Sequence, residues 1–147
     1  MSEAGRTGGD GTRGWVVDPD DVADTLIGRM GIELDEYGPE GGSGSMPVAG
    51  NTQPYGLLHG GASAVLAETL GSLAAAAHAG ADRIAVGIEL GCTHHRAART
   101  GRVHGVATAL HRGGSLATYE IVVRDDEGRR VCTARLTCLI RLRPPGA

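Results

Sequence analysis

The sequence predicts an α+β fold in which one long helix lies on a mostly antiparallel sheet. Three observations carry this prediction. The run from about Gly60 to Ala79 is rich in alanine and leucine, the composition of a helix. Four strand-like runs follow it, three of them alternating with a period of two, as strands with one buried face do. Two shorter strand-like runs stand before it, and no internal repeat is visible.

Taken in order, Met1 to Gly14 is rich in glycine, serine and charge and is expected to be disordered, leaving residues 15–147 as one domain. Asp18-Pro19 reads as an N-cap with proline at the first helical position, opening a short helix to about Met30 with Val22, Leu26 and Met30 on one stripe. Gly31 closes that helix. "IELDEY" reads as a first strand and "GSGSMPVAG" as a second, while Pro54 and Gly56 make Asn51 to Leu58 a loop. After the long helix, Ile84, Val86, Ile88 and Leu90 alternate along a third strand. Arg102 to Leu110 supplies a fourth. Ala117, Tyr119, Ile121 and Val123 mark the buried face of a fifth, and "DDEG" turns the chain back. In the last run Cys132, Ala134, Leu136, Cys138, Ile140 and Leu142 share one face, with Arg135, Thr137, Arg141 and Arg143 on the other.

A chain of 147 residues with 41% hydrophobic and 21% charged residues suits one domain with a sizeable core. A net charge of −3 gives no reason to expect nucleic acid or an anionic membrane as partner. With no phenylalanine, the core must come from leucine, valine, isoleucine and alanine. The cysteines, Cys92, Cys132 and Cys138, form no CxxC and are odd in number, which argues against a disulfide framework or zinc knuckle and for a reducing, cytoplasmic setting. No apolar signal-peptide core is visible at the N-terminus. The small-residue run Leu57 to Ala81 contains Glu68 and His78 and lacks a basic flank, so it is not read as a membrane span.

That same run holds the chemistry. On a helical wheel, Leu66, Leu70, Leu73 and Ala77 form one stripe, expected to pack on the sheet. Gly61, Ala64, Glu68, Ser72, Ala75 and Ala79 form the opposite stripe, small residues plus one carboxylate. Glu68 and Ser72, four apart, are neighbours there. A carboxylate in such a setting is either functional or an exposed glutamate paired with an arginine. At the helix start, His59-Gly60-Gly61 presents backbone N–H groups without intrahelical partners, and glycine permits close approach. The same tripeptide also suits a plain tight turn into a helix.

"QPYGLLHGGASAVLAETLGS", Gln53 to Ser72, closely resembles the hotdog-fold acyl-CoA thioesterases, in particular the subgroup with the phenylacetyl-CoA, Arthrobacter-type 4-hydroxybenzoyl-CoA and enterobactin-proofreading enzymes. The likeness continues through "VGIELGCTHHRAARTGRVHGVATALHRGG" and "YEIVVRDDEGRRVCTARLTCLI", covering roughly Trp15 to Leu142. The resemblance implies a long helix wrapped by an antiparallel sheet, subunits paired at least as homodimers and commonly as homotetramers, and active sites at the subunit interface. It implies hydrolysis of an acyl-CoA or acyl-carrier-protein thioester, with aromatic or arylacetyl groups expected, and no cofactor beyond the CoA of the substrate. Glu68 matches the family's catalytic carboxylate, acting as general base or as nucleophile. Ser72 matches the hydroxyl beside it, and Gln53 the amide directed at the thioester carbonyl. Gly60 matches the N–H that polarises that carbonyl, and His59 the histidine of the motif. Gln53, His59 and Gly60 would face Glu68 and Ser72 of the neighbouring subunit. A hydratase or a non-catalytic acyl-CoA-binding module on the same fold are the alternatives, but no hydratase motif is present.

The remaining candidates are weaker. His94 and His95 are adjacent on a strand and point to opposite faces, a poor chelating pair, so no metal site is expected. His94 and Arg96 are candidates for substrate contact, as is Gly61. Arg96, Arg99 and Arg102 suit CoA phosphates. Gly113, Gly114 and Ser115 could offer N–H groups to pantetheine or simply form a hairpin turn; the subgroup more often has Gly-Arg there. Cys132, Cys138 and Tyr119 read as core.

Overall fold

A computed structural model describes residues 19–146. The expectations for Met1 to Gly14 and for Asp18 as a cap lie outside the described residues. The elements are α1 (Pro19–Val22), α2 (Leu26–Arg29), β1 (Glu33–Gly38), β2 (Gly41–Pro47), α3 (Gly60–Ala79), β3 (Arg83–His94), β4 (Arg102–Arg112), β5 (Leu116–Asp125) and β6 (Arg130–Leu142). All strands pair antiparallel in one six-stranded sheet of order β1-β2-β4-β5-β6-β3, which leaves β1 and β3 as its edges. Helix α3 crosses one face of that sheet. The α+β architecture expected from the sequence is the one observed.

The core is built from leucine set into glycine. Leu66, Leu70 and Ala74 of α3 are fully buried. A Cβ added at Gly105 of β4 would lie 2.6 Å from Leu70 Cδ1, so only glycine lets the leucine sit flat on the sheet. The reverse holds at the next residue, where a Cβ on Gly71 of the helix would meet Leu136 Cδ2 of β6 at 2.6 Å. Close backbone approach thus replaces the bulk that phenylalanine would supply. The large ring that the core does hold, Tyr119, is wholly buried and donates its hydroxyl to Pro39 O at 2.7 Å, tying β5 to the β1–β2 turn. Burial pushes that phenol up to about 12. Gly80 ends α3 with φ 80° and donates its N–H to Ala76 O, while Arg83 Nε donates to Ala79 O at 2.9 Å.

Four local expectations are corrected. The single N-terminal helix is two four-residue turns, because the Thr25 N–H and hydroxyl both take Val22 O, at 2.9 and 2.6 Å, which ends α1. Leu26 is consequently exposed rather than on a buried stripe. On α3, Leu73 and Ala77 are half-buried, whereas Ala75 and Ala79, assigned to the open stripe, lie in the core. On β3 the alternation breaks at a bulge, since Gly87 pairs with Cys138 and Glu89 with Thr137, leaving Ile88 as the extra residue. Ala85 and Leu90 therefore pack on the core while Val86 and Ile88 face outward. Leu142, at the open end of β6, is 78% exposed.

Candidate active site

The loop between β2 and α3 is held so that Gln53 and the start of α3 at Gly60 line one cleft. Gln53-Pro54-Tyr55-Gly56 is a tight turn closed by Gly56 N–H to Gln53 O at 3.0 Å, with proline second and glycine, φ +78°, fourth. Gln53 N–H then donates to Leu57 O, and Thr52 bridges to Leu58. Asn51 anchors the base of the loop, its amide donating to Met30 O and Pro47 O at 2.9 and 2.8 Å. The Gln53 carbonyl oxygen Oε1 accepts from Tyr55 N–H, which fixes the amide and leaves its NH2 end to donate elsewhere.

His59 is the N-cap of α3. Its Nδ1 accepts from Gly61 N–H at 2.8 Å, so the neutral ring carries its proton on Nε2 and presents that donor outward. Gly60, first in the helix, has an N–H for which the helix offers no acceptor. A Cβ there would lie 3.1 Å from His94 Nε2, so the His94 ring rests against the helix terminus, and only glycine leaves that terminus open. Gln53, Gly60, Ser63, His94 and Arg96 line one cleft of about 390 Å³, whose apolar wall includes Leu57, Leu58 and Val131. The positive end of α3 opens into it.

Glu68 and Ser72 form a second cluster. Glu68 lies two turns along α3, about 12 Å from Gly60 at 1.5 Å per residue, with Ser72 one turn further. Glu68 is half-buried and accepts from the Ser72 hydroxyl at 3.2 Å through Oε1. Among the described residues no lysine or arginine pairs with it. The exposed, arginine-paired glutamate of the alternative reading is therefore not what the fold contains. Beneath it lies Gly87, where an added Cβ would sit 2.3 Å from Glu68 Oε1. Cys138 is the cross-strand neighbour of Gly87 and is fully buried. Burial, reinforced by the negative Glu68, pushes its thiol up to about 11 despite an interaction with Ser72, so it remains a thiol at neutral pH. Cys132 is likewise raised by burial, to about 12. Both cysteines are core residues, as the alternation of β6 suggested.

One chain does not bring the two clusters onto a common point, and it separates the other candidates further. Gly113, Gly114 and Ser115 turn at the far, C-terminal end of α3, where His78 Nε2 bonds Gly113 O at 2.8 Å and Arg83 donates to Gly114 O at 3.2 Å. Their carbonyls brace the helix end. Arg102 is committed to the scaffold, donating to Ser45 Oγ and reaching Glu33 at 3.3 Å, whereas Arg96 and Arg99 are exposed. His95 bonds Thr133 Oγ1 at 2.9 Å on the face away from His94. Among the described residues no group of three His, Cys, Asp or Glu side chains is placed to hold a metal ion. No helix in the described residues is long and apolar enough to cross a membrane. Gly87 is the site feature that the sequence reading passed over; its signal was a glycine inside a strand, which marks a bulge or a close approach.

A long helix on a six-stranded antiparallel sheet, with a lone carboxylate on the helix and a glycine-opened helix start, defines the hotdog class of hydrolases. The model of the Thioesterase superfamily matches residues 55–132, which contain both clusters except Gln53 and Cys138. The proofreading thioesterase EntH of Cronobacter turicensis is 46% identical over 117 residues, 79% of this chain and 85% of that protein. Among solved structures, thioesterase HI1161 of Haemophilus influenzae superposes with a TM-score of 0.81 at 29% identity, over 89% of this chain and 95% of that one. A mutant of the Pseudomonas aeruginosa thioesterase PA1618 gives 0.79 at 37% identity, over 84% and 91%. The chain belongs to the Thioesterase superfamily and is a thioester hydrolase on the hotdog fold.

Proposed function

We propose that this hydrolase cleaves an acyl-CoA, with an aromatic or arylacetyl acyl group, to the free acid and CoA, at a site shared by two copies of the chain. The observation that carries the reading is Glu68, a half-buried carboxylate whose partner is a hydroxyl rather than a cation. Such a carboxylate is available to take a proton. The thioester carbonyl lies at the start of α3 of one copy, its oxygen taking hydrogen bonds from the Gly60 N–H and the Gln53 amide, with His59 Nε2–H as a further donor. Glu68 of the second copy removes a proton from a water that Ser72 helps hold. The water oxygen adds to the carbonyl carbon, the C–S bond breaks, and the departing sulfur takes up the proton to leave as the CoA thiol. Direct attack by the Glu68 carboxylate, followed by hydrolysis of the anhydride, is the variant of the same reading. Gly61, His94 and Arg96 border the carbonyl site and would contact the pantetheine arm; Gly113, Gly114 and Ser115 would reach it only from a neighbouring copy. No cofactor enters this scheme.

The shared site is supported by the edge strand β3, twelve residues long, with Val86 and Ile88 outward at 45% and 57% exposure. Such an edge is a template for pairing with a second copy. A carrier-protein thioester is the second reading, the other substrate class that the resemblance to the enterobactin-proofreading enzymes implies. Thiol release from benzoyl-, phenylacetyl- and fatty acyl-CoA, set beside the same acyl groups on a phosphopantetheinylated carrier protein, decides between them. Turnover unchanged in Glu68→Ala with every substrate would sink the mechanism.

A further inference from the structure

We propose that Gly87, at the bulge of β3, is a positioning residue for Glu68: the side chain it lacks is the space in which the carboxylate rests. The inference builds on the reading of Glu68 as the reacting carboxylate. It stands on three observations. A Cβ at Gly87 would lie 2.3 Å from Glu68 Oε1, 3.2 Å from its Cδ and 3.4 Å from Oε2, so the whole carboxylate, not one atom, lies over the glycine. The strand is kinked there, because the pairing slips between Gly87–Cys138 and Glu89–Thr137 and leaves Ile88 over. Bulges re-aim the chain beside active sites. Finally, the strand beside the seat is packed on both sides: Cys138, across from Gly87, is fully buried, and on its other side it pairs with the equally buried Ala117 of β5.

The physical consequence is specific. The carboxylate has three side-chain torsions, and Ser72 restrains it from one side only, through Oε1. Gly87 restrains it from below by letting it lie against the backbone of β3. Any side chain there lifts the carboxylate off the strand and turns it away from Ser72. The leucine seats at Gly105 and Gly71 show the same close approach used for packing. At Gly87 it serves a charged group on a half-buried surface, which packing alone does not call for.

Gly87→Ala tests this, with Gly91→Ala as its control, because Gly91 lies on the same strand and a Cβ there meets nothing within 4 Å. The expected result is a fall in kcat on the order of 10²-fold at nearly constant KM, the cost of misplacing a reacting group by about 1 Å. The split between kcat and KM is the readout that a merely structural defect would not give, and Gly91→Ala should move neither constant. Glu68→Asp supplies the second arm: its carboxylate is one methylene shorter and no longer reaches the seat. Adding Gly87→Ala in the Glu68→Asp background should change kcat less than about threefold, the non-additivity of groups in contact. Wild-type kcat in Gly87→Ala overturns the proposal. So does an equal loss in both backgrounds, which would mean that the alanine damages the strand or its pairing. An active Glu68→Ala would instead overturn the role of Glu68 itself, leaving the two failures distinct.

Discussion

The two ends of the chemistry on α3 differ in kind. The first turn is a donor surface: an uncommitted Gly60 N–H, a Gln53 amide locked by Tyr55 N–H, and a His59 ring whose Nδ1 is taken by Gly61 N–H. Every group there can give a hydrogen bond, and none is placed to accept a proton from water. The middle of the helix is the reverse, with Glu68 as an acceptor and a lone hydroxyl beside it. Polarising a carbonyl and activating water are complementary tasks, yet about 12 Å of helix separates them in one chain. Each cluster is chemically half a site. Under the proposed two-copy site, the helix would be used twice, its start serving one substrate and its middle another.

The largest effect expected follows from that division. Glu68→Gln and Gln53→Ala should each lower kcat, the first by on the order of 10³-fold as loss of a general base and the second by about 10²-fold as loss of one carbonyl donor. Unfolded and refolded together, the two variants should regain about a quarter of wild-type turnover, since half the twofold pairs are mixed and each mixed pair holds one intact site of two. Were both clusters to act within one chain, the mixture would show no more than the average of its parts. Turnover measured against mixing ratio reads the outcome directly.

A smaller effect separates the two jobs of His59. His59→Ala removes both the cap to Gly61 and the Nε2 donor, so we expect a stability loss of about 1 kcal/mol and a further tenfold or so fall in kcat. His59→Asn keeps a capping oxygen and shortens the reach, so stability should return while kcat does not. Thermal unfolding and steady-state kinetics on the pair test this. Recovery of both in His59→Asn would reduce the histidine to a helix cap.

These features were unevenly legible in the sequence. The helix at Gly60–Ala79 was readable close to its observed bounds from its alanine and leucine content, and the hairpin around "DDEG" was readable because alternation survives on both sides of the turn. Glu68 stood out as a charge in a small-residue run. What escaped depends on partners that a linear pattern does not carry. The bulge at Ile88 converts a clean alternation of Ile84, Val86, Ile88 and Leu90 into two registers, and nothing in those four residues announces it. Leu73 looked like core on a wheel, but the buried stripe runs through Leu66, Leu70 and Ala74, which leaves it at the margin. Gly87 carried a signal, a glycine within a strand, yet its meaning came only with the carboxylate that occupies the space.

Changes in the scaffold should move stability and leave the chemistry alone, which sharpens the contrast between the two clusters and everything else. Tyr119→Phe removes the hydroxyl donated to Pro39 O and leaves that carbonyl without this partner, at about 1 kcal/mol of stability with kcat unchanged. The smallest effect belongs to the β5–β6 turn. Among the described residues Asp125 is the one buried charged side chain, at the end of β5, and its carboxyl lies below the usual range: desolvation raises it, but hydrogen bonds from the Arg129 and Glu127 N–H groups and the Arg129 guanidinium outweigh that. Asp126 is lowered too, chiefly by His104 and by the Arg102 N–H. Carboxyls depressed in the folded state add stability above their unfolded range and lose it as pH falls through the folded values. Resistance to denaturant should therefore fall in acid, below about pH 4, and salt should blunt the Asp126 part, because its partner His104 is exposed. Asp125→Asn keeps an acceptor oxygen for the turn while removing the titration. It should flatten the acid slope without altering kcat at neutral pH, and an unchanged slope would assign acid sensitivity to other carboxyls.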